Sequence, residues 1–289
     1  MIIVAQRPGR LGNLLLQYTN LIAFAEDHHA TISNPSFFDY NHYFVGTHND
    51  FLSRYPSHNS LNLPLLLRVC FYKLLRFADQ SGILSNLPGS TFIDLPVHDD
   101  YHLDSPDFLA LYDESKHIFL RRSWRSIYRF KNRHHIEKAR TFFQLVPHRA
   151  RRVQNFIDGV KPGTDVLIGV HIRQTDFLNH RGGKYYFTTP QYAALMARAA
   201  ALFQNQSVAF VICSDAPQSS ENFPNLKTHF PTPEHVEDLF ILASCDYIIG
   251  PSISSYCAIA SMFGNKPRLS LESSEQVIRK EDFQIWGYD

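Results

Sequence analysis

Residues 166–176 read VLIGVHIRQTD, and this stretch decides the fold class. The five apolar residues at its start predict a buried β-strand, because strands of a parallel sheet are covered on both faces. The strand delivers His171, Arg173 and Asp176 at its carboxyl end. In open α/β sheets, ligands bind beyond that end of the strands. An arginine there, with its fixed fork of donors, predicts a phosphate or carboxylate ligand.

From about residue 150 onward, strand patterns alternate with helix patterns. This order predicts a parallel sheet with helices on both faces. We expect Thr189 to cap the first of these helices, Thr232 to lie at the start of the second, and Gly264 to follow the end of the third. The predicted strands span 166–171, 208–213 and 247–249.

The N-terminal half also opens as a strand, a glycine-bearing loop and a helix. Residues 1–5 are apolar, the loop reads RPGRLGN, and apolar residues then recur at helical spacing. This pattern is typical of a nucleotide-binding α/β unit, although the glycines can equally serve only a tight turn. Residues 32–115 predict long connections. Further elements are expected as strands near 91–95 and 118–121 and as helices near 65–77 and 134–143.

The two halves predict two domains, residues 1–150 and 151–289. Each is expected to be an α/β domain of Rossmann-like type, and both are expected to open toward a shared central cleft. Because ligands bind at the carboxyl ends of the strands, we expect a ligand site in that cleft.

Composition narrows the class of protein. A net charge of +1 argues against a nucleic-acid partner. The four cysteines form no CxxC pair and predict buried thiols in a reducing compartment. The N-terminus lacks a signal-peptide pattern. Three cations interrupt the apolar residues 61–78, which argues against a membrane span there. We expect a cytoplasmic protein, with peripheral association with the inner membrane left open.

Two further features concern charge and metal binding. The adjacent pair His134 and His135 has no metal-ligand spacing, so we interpret it as surface or loop residues and expect no metal site. A basic run is best explained as a solvated helical face, with a polyanion or an anionic membrane surface as alternatives. Its members are Arg121, Arg122, Arg125, Arg129, Lys131, Arg133, Lys138, Arg140, Arg149, Arg151 and Arg152.

Four polar groups lie at predicted strand ends and would converge on one crevice of a doubly wound sheet. Arg173 can neutralise a phosphate, Asp215 can accept two hydrogen bonds from a base or ribose, and the helix start near Ser254 can present N–H groups to a phosphate. Each also has a structural alternative, as an ion pair, a turn or a cap. The four groups span 10–13, 171–176, 214–215 and 252–255.

With these residues in place, the sequence resembles the fucosyltransferase superfamily of α-1,2-, α-1,6- and protein O-fucosyltransferases. Residues 9–18, GRLGNLLLQY, resemble the GxLGNxxxQY signature of the α-1,2 branch, glycosyltransferase family 11. Residues 171–176, HIRQTD, resemble the HxRRxD motif. The stretch from Asp238 to the serine-rich helix start at 252–255 resembles the third block of the family.

The resemblance implies a GT-B fold in which residues 1–150 form the acceptor side and residues 151–289 bind the GDP-sugar. It also implies transfer of fucose from GDP-fucose, with inversion and without a metal or a further cofactor. The acceptor implied is a glycan hydroxyl, galactose O2 of a surface polysaccharide. The resemblance and the strand ends together give catalytic candidates Arg173, Asp176 and His180. Asp176 and His180 are the candidates for the general base, and Asp176 is the one we favour from the sequence. The candidates for contact with the donor are Arg10, Gly12, Asn13, His171, Arg173, Ser214, Asp215, Asp238, Ser252, Ser254 and Ser255.

One position departs from the family pattern. Gln174 stands where the HxRRxD motif has its second arginine, so a hydrogen-bonding group remains but a charge is lost. This leaves open a GT-B transferase for another nucleotide sugar, such as GDP-mannose, and a non-catalytic protein that binds a sugar nucleotide. The aromatic residues Phe37, Phe38, Tyr40, Tyr43 and Phe44 are expected either to stack on sugar faces or to form local core.

Overall fold

The chain divides into two compact units, Met1–Pro147 and His148–Asp289. Both contain a largely parallel sheet with helices, which confirms the α/β class. None of the helices described has the length and hydropathy that a membrane span requires. The computed structural model describes residues 1–96, 100–121, 126–128, 133–232 and 234–287.

Unit 1 is built on a five-stranded sheet in the order β3-β2-β1-β6-β4, parallel except for β3 against β2. Two short strands, β5 and β7, pair separately in parallel. The strands are β1 (Ile2–Val4), β2 (Ile32–Ser33), β3 (Arg54–Tyr55), β4 (Ser90–Asp94), β5 (Tyr101–His102), β6 (His117–Arg121) and β7 (Ser126–Ile127). The helices are α1 (Leu11–His28), α2 (Leu65–Gln80), α3 (Pro106–Glu114) and α4 (Arg133–Phe142).

Unit 2 is built on a six-stranded sheet in the order β10-β9-β8-β11-β12-β13, parallel except for the last pair. The strands are β8 (Val166–Ile172), β9 (Val208–Ser214), β10 (Lys227–His229), β11 (Tyr247–Pro251), β12 (Arg268–Leu271) and β13 (Phe283–Gln284). The helices are α5 (Pro147–Val160), α6 (Thr189–Ala200), α7 (His235–Ser244) and α8 (Ser255–Gly264). The chain runs from β8 outward to β10 and then returns to β11, so the strand order reverses beside β8. Such a switch point is where doubly wound sheets bind ligands.

Strand β8 is buried on both faces. Its even-numbered residues belong to a core with Tyr192, Leu195 and Met196 of α6. On the other face, a Cβ at Gly169 would lie 2.8 Å from Leu242 of α7, so the missing side chain allows that helix close to the strand. Because side chains alternate along a strand, His171 shares the face of Gly169. Helices therefore cover both faces of the sheet, as the alternating pattern predicted.

Two predicted helix boundaries were wrong by one residue. Thr188, not Thr189, caps α6, because its side chain accepts from the N–H of Gln191 while the Gln191 side chain accepts from the N–H of Thr188. Gly264 is the last residue of α8, and Asn265 takes the left-handed conformation beyond it, with φ of 53°. A Cβ at Gly264 would lie 2.1 Å from the carbonyl oxygen of Ala243, so this glycine serves helix packing.

Three further predictions differ from the structure, and they concern the start of a helix, a histidine and a cysteine. Helix α7 begins at His235, three residues after Thr232, and Pro233 lies outside the described residues. His135 is buried and contacts Asp27, so it is no surface residue. Three cysteines are buried as predicted, but Cys70 is exposed on α2.

The basic run is only partly described, and ion pairs offset the charge of several of its members. Arg149 and Arg152 of α5 both contact Glu237, at 2.9 and 3.2 Å. Lys138 contacts Glu26 at 3.1 Å. Four further members of the run, at 122, 125, 129 and 131, lie outside the described residues.

Candidate functional site

His171 lies at the carboxyl end of β8 and is 7% exposed. Its Nδ1 is 3.2 Å from Sγ of Cys257 and 3.4 Å from Oγ of Ser254, both on or next to α8. Its ring stacks on Tyr256, with centroids 4.7 Å apart. Burial, followed by the charge of Arg173, lowers the pKa of His171 to about 3. The imidazole is therefore neutral near pH 7 and acts as a hydrogen-bonding group without charge.

Arg173 forms a bidentate pair with Asp176. Its Nε donates to Oδ1 at 2.9 Å and its terminal nitrogen donates to Oδ2 at 2.6 Å. The guanidinium also lies over the ring of Phe177, 4.8 Å from its centroid. Of the five N–H donors of arginine, this pair uses two, so the fork is held in place with donors left for an anion.

His180 lies one turn further along the same loop. It is exposed, and its ring stacks on Phe177 with centroids 5.5 Å apart. Phe177 therefore contacts both Arg173 and His180, and a buried phenyl ring fixes the two polar side chains relative to each other.

Gln174, the residue that departs from the family pattern, is held in a neutral network. Its Nε2 donates to the carbonyl oxygen of Phe187 at 3.0 Å and to Oγ1 of Thr189 at 3.2 Å. Its Oε1 accepts from Nε2 of Gln218 at 2.9 Å. Thr189 in turn donates to Oε1 of Gln218 at 3.3 Å. An arginine, which has no acceptor, cannot make this set of contacts.

Asp215, at the end of β9, binds the loop that follows β8. It accepts from the N–H of Gln174 at 2.7 Å and from the hydroxyl of Thr175 at 2.6 Å. The preceding Ser214 accepts from the N–H of Ala216 at 3.1 Å, which closes the turn. The turn interpretation considered for Asp215 thus has a concrete basis, because its carboxylate orders the backbone beside Arg173.

The serine loop follows β11 and leads into α8. Ser254 is the N-cap of α8 and accepts from the N–H of Cys257 at 3.3 Å, and Ser255 is the first helical residue. The Oγ of Ser252 is buried and has no hydrogen-bond partner among the described residues. A buried hydroxyl without a partner is costly, and a ligand oxygen would satisfy it. The dipole of α8 adds positive potential at this point.

Arg268 is a residue that sequence reasoning missed. It lies on β12, is 3% exposed, and donates to the carbonyl oxygens of Pro251 and Ser252 at 2.7 and 2.8 Å. Its Nε has no partner among the residues described. Burial lowers the pKa of Arg268 from its usual value. In the sequence, nothing around Arg268 indicates a buried cation under the serine loop, because its partners are 16 and 17 residues away.

Gly250 gives the site its close packing. A Cβ at this position on β11 would lie 2.4 Å from Sγ of Cys257 and 3.4 Å from Cβ of His171. Only glycine leaves the room that both neighbours occupy. The serines of residues 250–255 indicate a helix start in the sequence. The role of Gly250 depends on contacts with Cys257 and His171, which a local sequence pattern does not show.

Asp238 belongs to helix α7 and is 6% exposed. Its carbonyl oxygen lies 3.7 Å from Sγ of Cys213, which donates to it, and its Oδ1 has no partner among the described residues. Burial raises its pKa to about 7, opposed by the backbone hydrogen bond at Glu234 and assisted by the charges of Glu234 and Glu237. Its place is under β9, within the helix, and its predicted contact with the donor stays a prediction.

The remaining candidates belong to unit 1. Arg10 is the N-cap of α1 with an extended backbone, and Gly12 and Asn13 lie in the first turn of that helix. Gly9 has φ of 121°, a backbone conformation that suits glycine. The tight-turn interpretation therefore explains this glycine, while the predicted border with a donor stays a prediction for the other three residues.

The aromatic residues of unit 1 divide into two kinds. Phe37 and Phe44 are fully buried and form a cluster with Tyr18 and Phe143, so they are local core. Phe38, Tyr40 and Tyr43 are half-buried. Arg7 lies over the rings of Phe38 and Tyr40, at 5.6 and 5.4 Å, and pairs with Asp39 at 2.7 Å.

Comparisons with known proteins give similarity at the level of structure only. No protein-family model and no curated protein matches the sequence. A mutant of FUT1 from Arabidopsis thaliana in complex with GDP is similar with a TM-score of 0.58 and 11% identity, over 94% of this chain and 71% of that chain. The fucosyltransferase NodZ from Bradyrhizobium has a TM-score of 0.56 and 14% identity, over 94% and 96% of the two chains. POFUT1 in complex with GDP has a TM-score of 0.52 and 11% identity, over 94% and 96%.

At these identities the similarity shows the fold. Both units of this chain, each with its parallel sheet, fall within the alignment to these structures. The chain therefore has the GT-B fold of these fucosyltransferases, as the sequence predicted.

Proposed function

We propose that this protein is a fucosyltransferase that uses GDP-fucose as its donor. The observation that carries the proposal is the polar cluster at the switch point of unit 2. There Arg173, two of whose five N–H donors are used by Asp176, lies at the same end of the sheet as Ser252, whose buried hydroxyl has no partner in the part of the chain that the structure describes. The fold supports it, since similar structures include NodZ α-1,6-fucosyltransferase soaked with GDP-fucose and POFUT1 in complex with GDP.

The donor diphosphate would bind between Arg173 and the start of α8. Arg173 supplies charge and a planar fork, and Ser252, Ser254 and Ser255 supply hydroxyls beside the positive end of the helix dipole. The neutral His171 donates or accepts one hydrogen bond at the base of this site. Arg268 holds the carbonyl groups of the serine loop from below and so fixes its shape.

The reaction we propose is a direct displacement with inversion. The acceptor oxygen forms a bond to C1 of fucose while the bond from C1 to the β-phosphate oxygen breaks, and GDP leaves with the electron pair. Negative charge then builds on the β-phosphate. We propose that no metal takes part, and that Arg173 and the N–H groups at the start of α8 stabilise that charge.

A general base must take the proton of the acceptor hydroxyl. Asp176 and His180 are the two candidates of the loop. Both oxygens of Asp176 already accept from Arg173, so its contacts favour a positioning role. His180 is exposed, its ring stacks on Phe177, and a neutral imidazole can accept a proton at a ring nitrogen. We therefore assign the base to His180 and not to Asp176, the residue favoured by the sequence.

The acceptor proposed is a glycan hydroxyl, with galactose O2 and an α-1,2 linkage as the specific form. That form rests on the GRLGNLLLQY signature of residues 9–18. The half-buried rings of Phe38, Tyr40 and Tyr43 offer flat faces of the kind on which sugars stack. Residues of the core, such as Phe37, are excluded from that role by burial.

A calorimetric titration tests the donor site directly. GDP, UDP, ADP and CMP are titrated into the wild-type protein and into Arg173→Ala. Selective binding of GDP that weakens in the variant supports the proposal. Equal binding of all four nucleotides, or a variant that binds GDP as well as wild type, contradicts it.

Transfer assays then separate the donors. GDP-fucose and GDP-mannose are compared with a panel of galactosides as acceptors. Transfer from GDP-mannose alone would favour the second candidate, for which the neutral Gln174 network is the supporting feature. Binding of GDP without transfer above a control lacking enzyme would favour a non-catalytic sugar-nucleotide-binding protein.

A further inference from the structure

Helix α2 of unit 1 buries two charged side chains and exposes several large apolar ones. Its inward face carries Arg68, Tyr72 and Asp79, which are each 6% or 7% exposed. Arg68 donates to the carbonyl oxygen of Phe38 at 2.6 Å, and Asp79 forms an ion pair with Arg121. Arg68 and Asp79 therefore help to hold the helix to the unit, while several of its large apolar side chains lie outside.

The outward face carries a stripe of exposed apolar side chains. Leu66, Leu74 and Phe77 are 72%, 66% and 63% exposed, and Cys70 between them is also exposed. These positions recur at intervals of four, four and three residues, so they form one stripe. Eight of the twelve large apolar residues exposed in the described parts of the chain lie between residues 61 and 87, on α2 or close to its ends in sequence. The eight are Leu61, Leu65, Leu66, Leu67, Leu74, Phe77, Ile83 and Leu87.

Exposed apolar residues scattered singly are ordinary, but such a concentration marks a binding surface. We call it the α2 surface, defined by the eight residues above together with Cys70, Lys73 and Arg76. None of the helices described is suited to cross a bilayer, so any contact of the α2 surface with lipid would be interfacial.

The charges of the α2 surface select its partner. From residue 56 to residue 93, a stretch described throughout, the only carboxylate is that of Asp79, which is buried and paired with Arg121. The exposed Lys73 and half-buried Arg76 therefore have no acidic side chain on this segment to offset them. Apolar residues flanked by uncompensated cations fit a bilayer with anionic headgroups.

The same charges disfavour a second copy of the chain. A two-fold contact presents one surface to itself, so each helix would bring Lys73 and Arg76 toward the same cations of the other copy. The basic run of 121–152 is a less favourable site for an anionic membrane than the α2 surface, because its members Arg149, Arg152 and Lys138 already contact carboxylates. From these observations we propose that the α2 surface docks on an anionic membrane surface.

Vesicle binding tests the proposal on the intact chain. Cosedimentation is measured with vesicles of phosphatidylcholine alone and of phosphatidylcholine mixed with phosphatidylglycerol. We expect binding to the anionic vesicles that weakens at high salt. Lys73→Gln combined with Arg76→Gln should weaken it about 25-fold, at roughly fivefold for each cation near the surface. Leu66→Ser and Phe77→Ser should each weaken it about tenfold.

Val277→Ser is the matched control, since Val277 is 70% exposed and Leu66 is 72% exposed. It should bind as wild type does. Absence of wild-type binding to anionic vesicles overturns the proposal. So does binding that Leu66→Ser and Phe77→Ser leave unchanged.

Cys70 supplies a second, independent readout. It is the exposed cysteine, and Cys213, Cys245 and Cys257 are buried, so a polarity-sensitive maleimide should react at Cys70 alone. The dye emission should shift to the blue on addition of anionic vesicles. A blue shift that depends on protein concentration without vesicles would instead reveal a second copy on the α2 surface and overturn the proposal.

Discussion

The side-chain amides of Gln174 and Gln218 meet head to tail, with Nε2 of Gln218 donating to Oε1 of Gln174 across 2.9 Å. Gln174 thereby takes a place in a neutral network with Thr189 and Phe187. An arginine, which the family motif has at this position, carries no acceptor, so it cannot receive the hydrogen bond that Gln218 donates to Gln174.

We therefore expect Gln174→Arg to lower the free energy of unfolding by about 1–3 kcal/mol, the cost of polar groups left without partners. Denaturant unfolding measures it. Gln218→Leu should remove the same contact, and the double variant should cost less than the sum of the two single variants. Strict additivity would show that the two amides do not interact.

Arg173→Ala should lower kcat/KM by about 10²–10³ or more, because a preorganised donor to the leaving phosphate is lost. Arg173→Lys should recover only part of the loss, since a lysine cannot keep both contacts to Asp176 and bind a phosphate with a planar fork. Steady-state kinetics with GDP-fucose measures both. Arg151→Ala, on the exposed side of α5, is the control and should retain activity. A lysine variant close to wild type would argue against the assigned role.

Asp176 and His180 can be separated by the steady-state kinetics of two variants. His180→Gln should lower kcat by about 10²–10⁴, the usual contribution of a general base. Asp176→Asn should instead raise KM for the donor while the base remains, because the amide has no charge and keeps only one acceptor oxygen for Arg173. If Asp176→Asn abolished turnover and His180→Gln left kcat unchanged, the two roles would be reversed.

Asp238 predicts a pH dependence of stability. Its pKa is raised to about 7 in the folded chain, above an unfolded value near 4. The folded state therefore holds this proton more tightly, and the free energy of unfolding falls as the pH rises from about 4 to about 7. Asp238→Asn should be more stable than wild type by a few kcal/mol near pH 8, with the difference vanishing near pH 4. Thermal or urea unfolding at both pH values checks it, and an advantage that is independent of pH would contradict it.

Gly250→Ala should lower stability by about 1–3 kcal/mol, the usual cost of overpacking, because its new methyl group would displace Cys257 or His171. Binding of GDP should weaken with it. Gly159→Ala in α5 is the matched control, since nothing lies within 4 Å of a Cβ there. It should gain up to about 1 kcal/mol from better helix propensity. Equal stability changes at the two sites would refute the packing argument.

The strands that position the site were predictable from sequence because they are buried on both faces. A run such as VLIGVHI leaves no polar face to obscure its pattern, and β8, β9 and β11 each extend by one or two residues beyond the predicted ends. The two-residue strands of unit 1 were not predicted, since two residues carry no period. Helices α3 and α5 were missed because polar residues interrupt their apolar positions.

The contacts within the site were less predictable than its location. Adjacent threonines at 188 and 189 are chemically equivalent caps, and only the reciprocal contact with Gln191 selects the first. Arg268 and Gly250 act through neighbours that are distant in sequence, the serine loop and Cys257. Local patterns carry no information on such pairs, whereas the strand-end rule needs only the order of the strands.

Asp215 links the turn after β9 to the loop after β8, so that the two move together. Its carboxylate is bound to the backbone of Gln174 and to Thr175, so the turn after β9 cannot shift without carrying the loop that bears Arg173. A ligand that draws Arg173 toward its phosphates would move both turns together. In hydrogen exchange, the amide protons of Gln174 and Thr175 should gain protection as a pair on binding GDP. Asp215→Ala should release both at once, although neither residue has been changed.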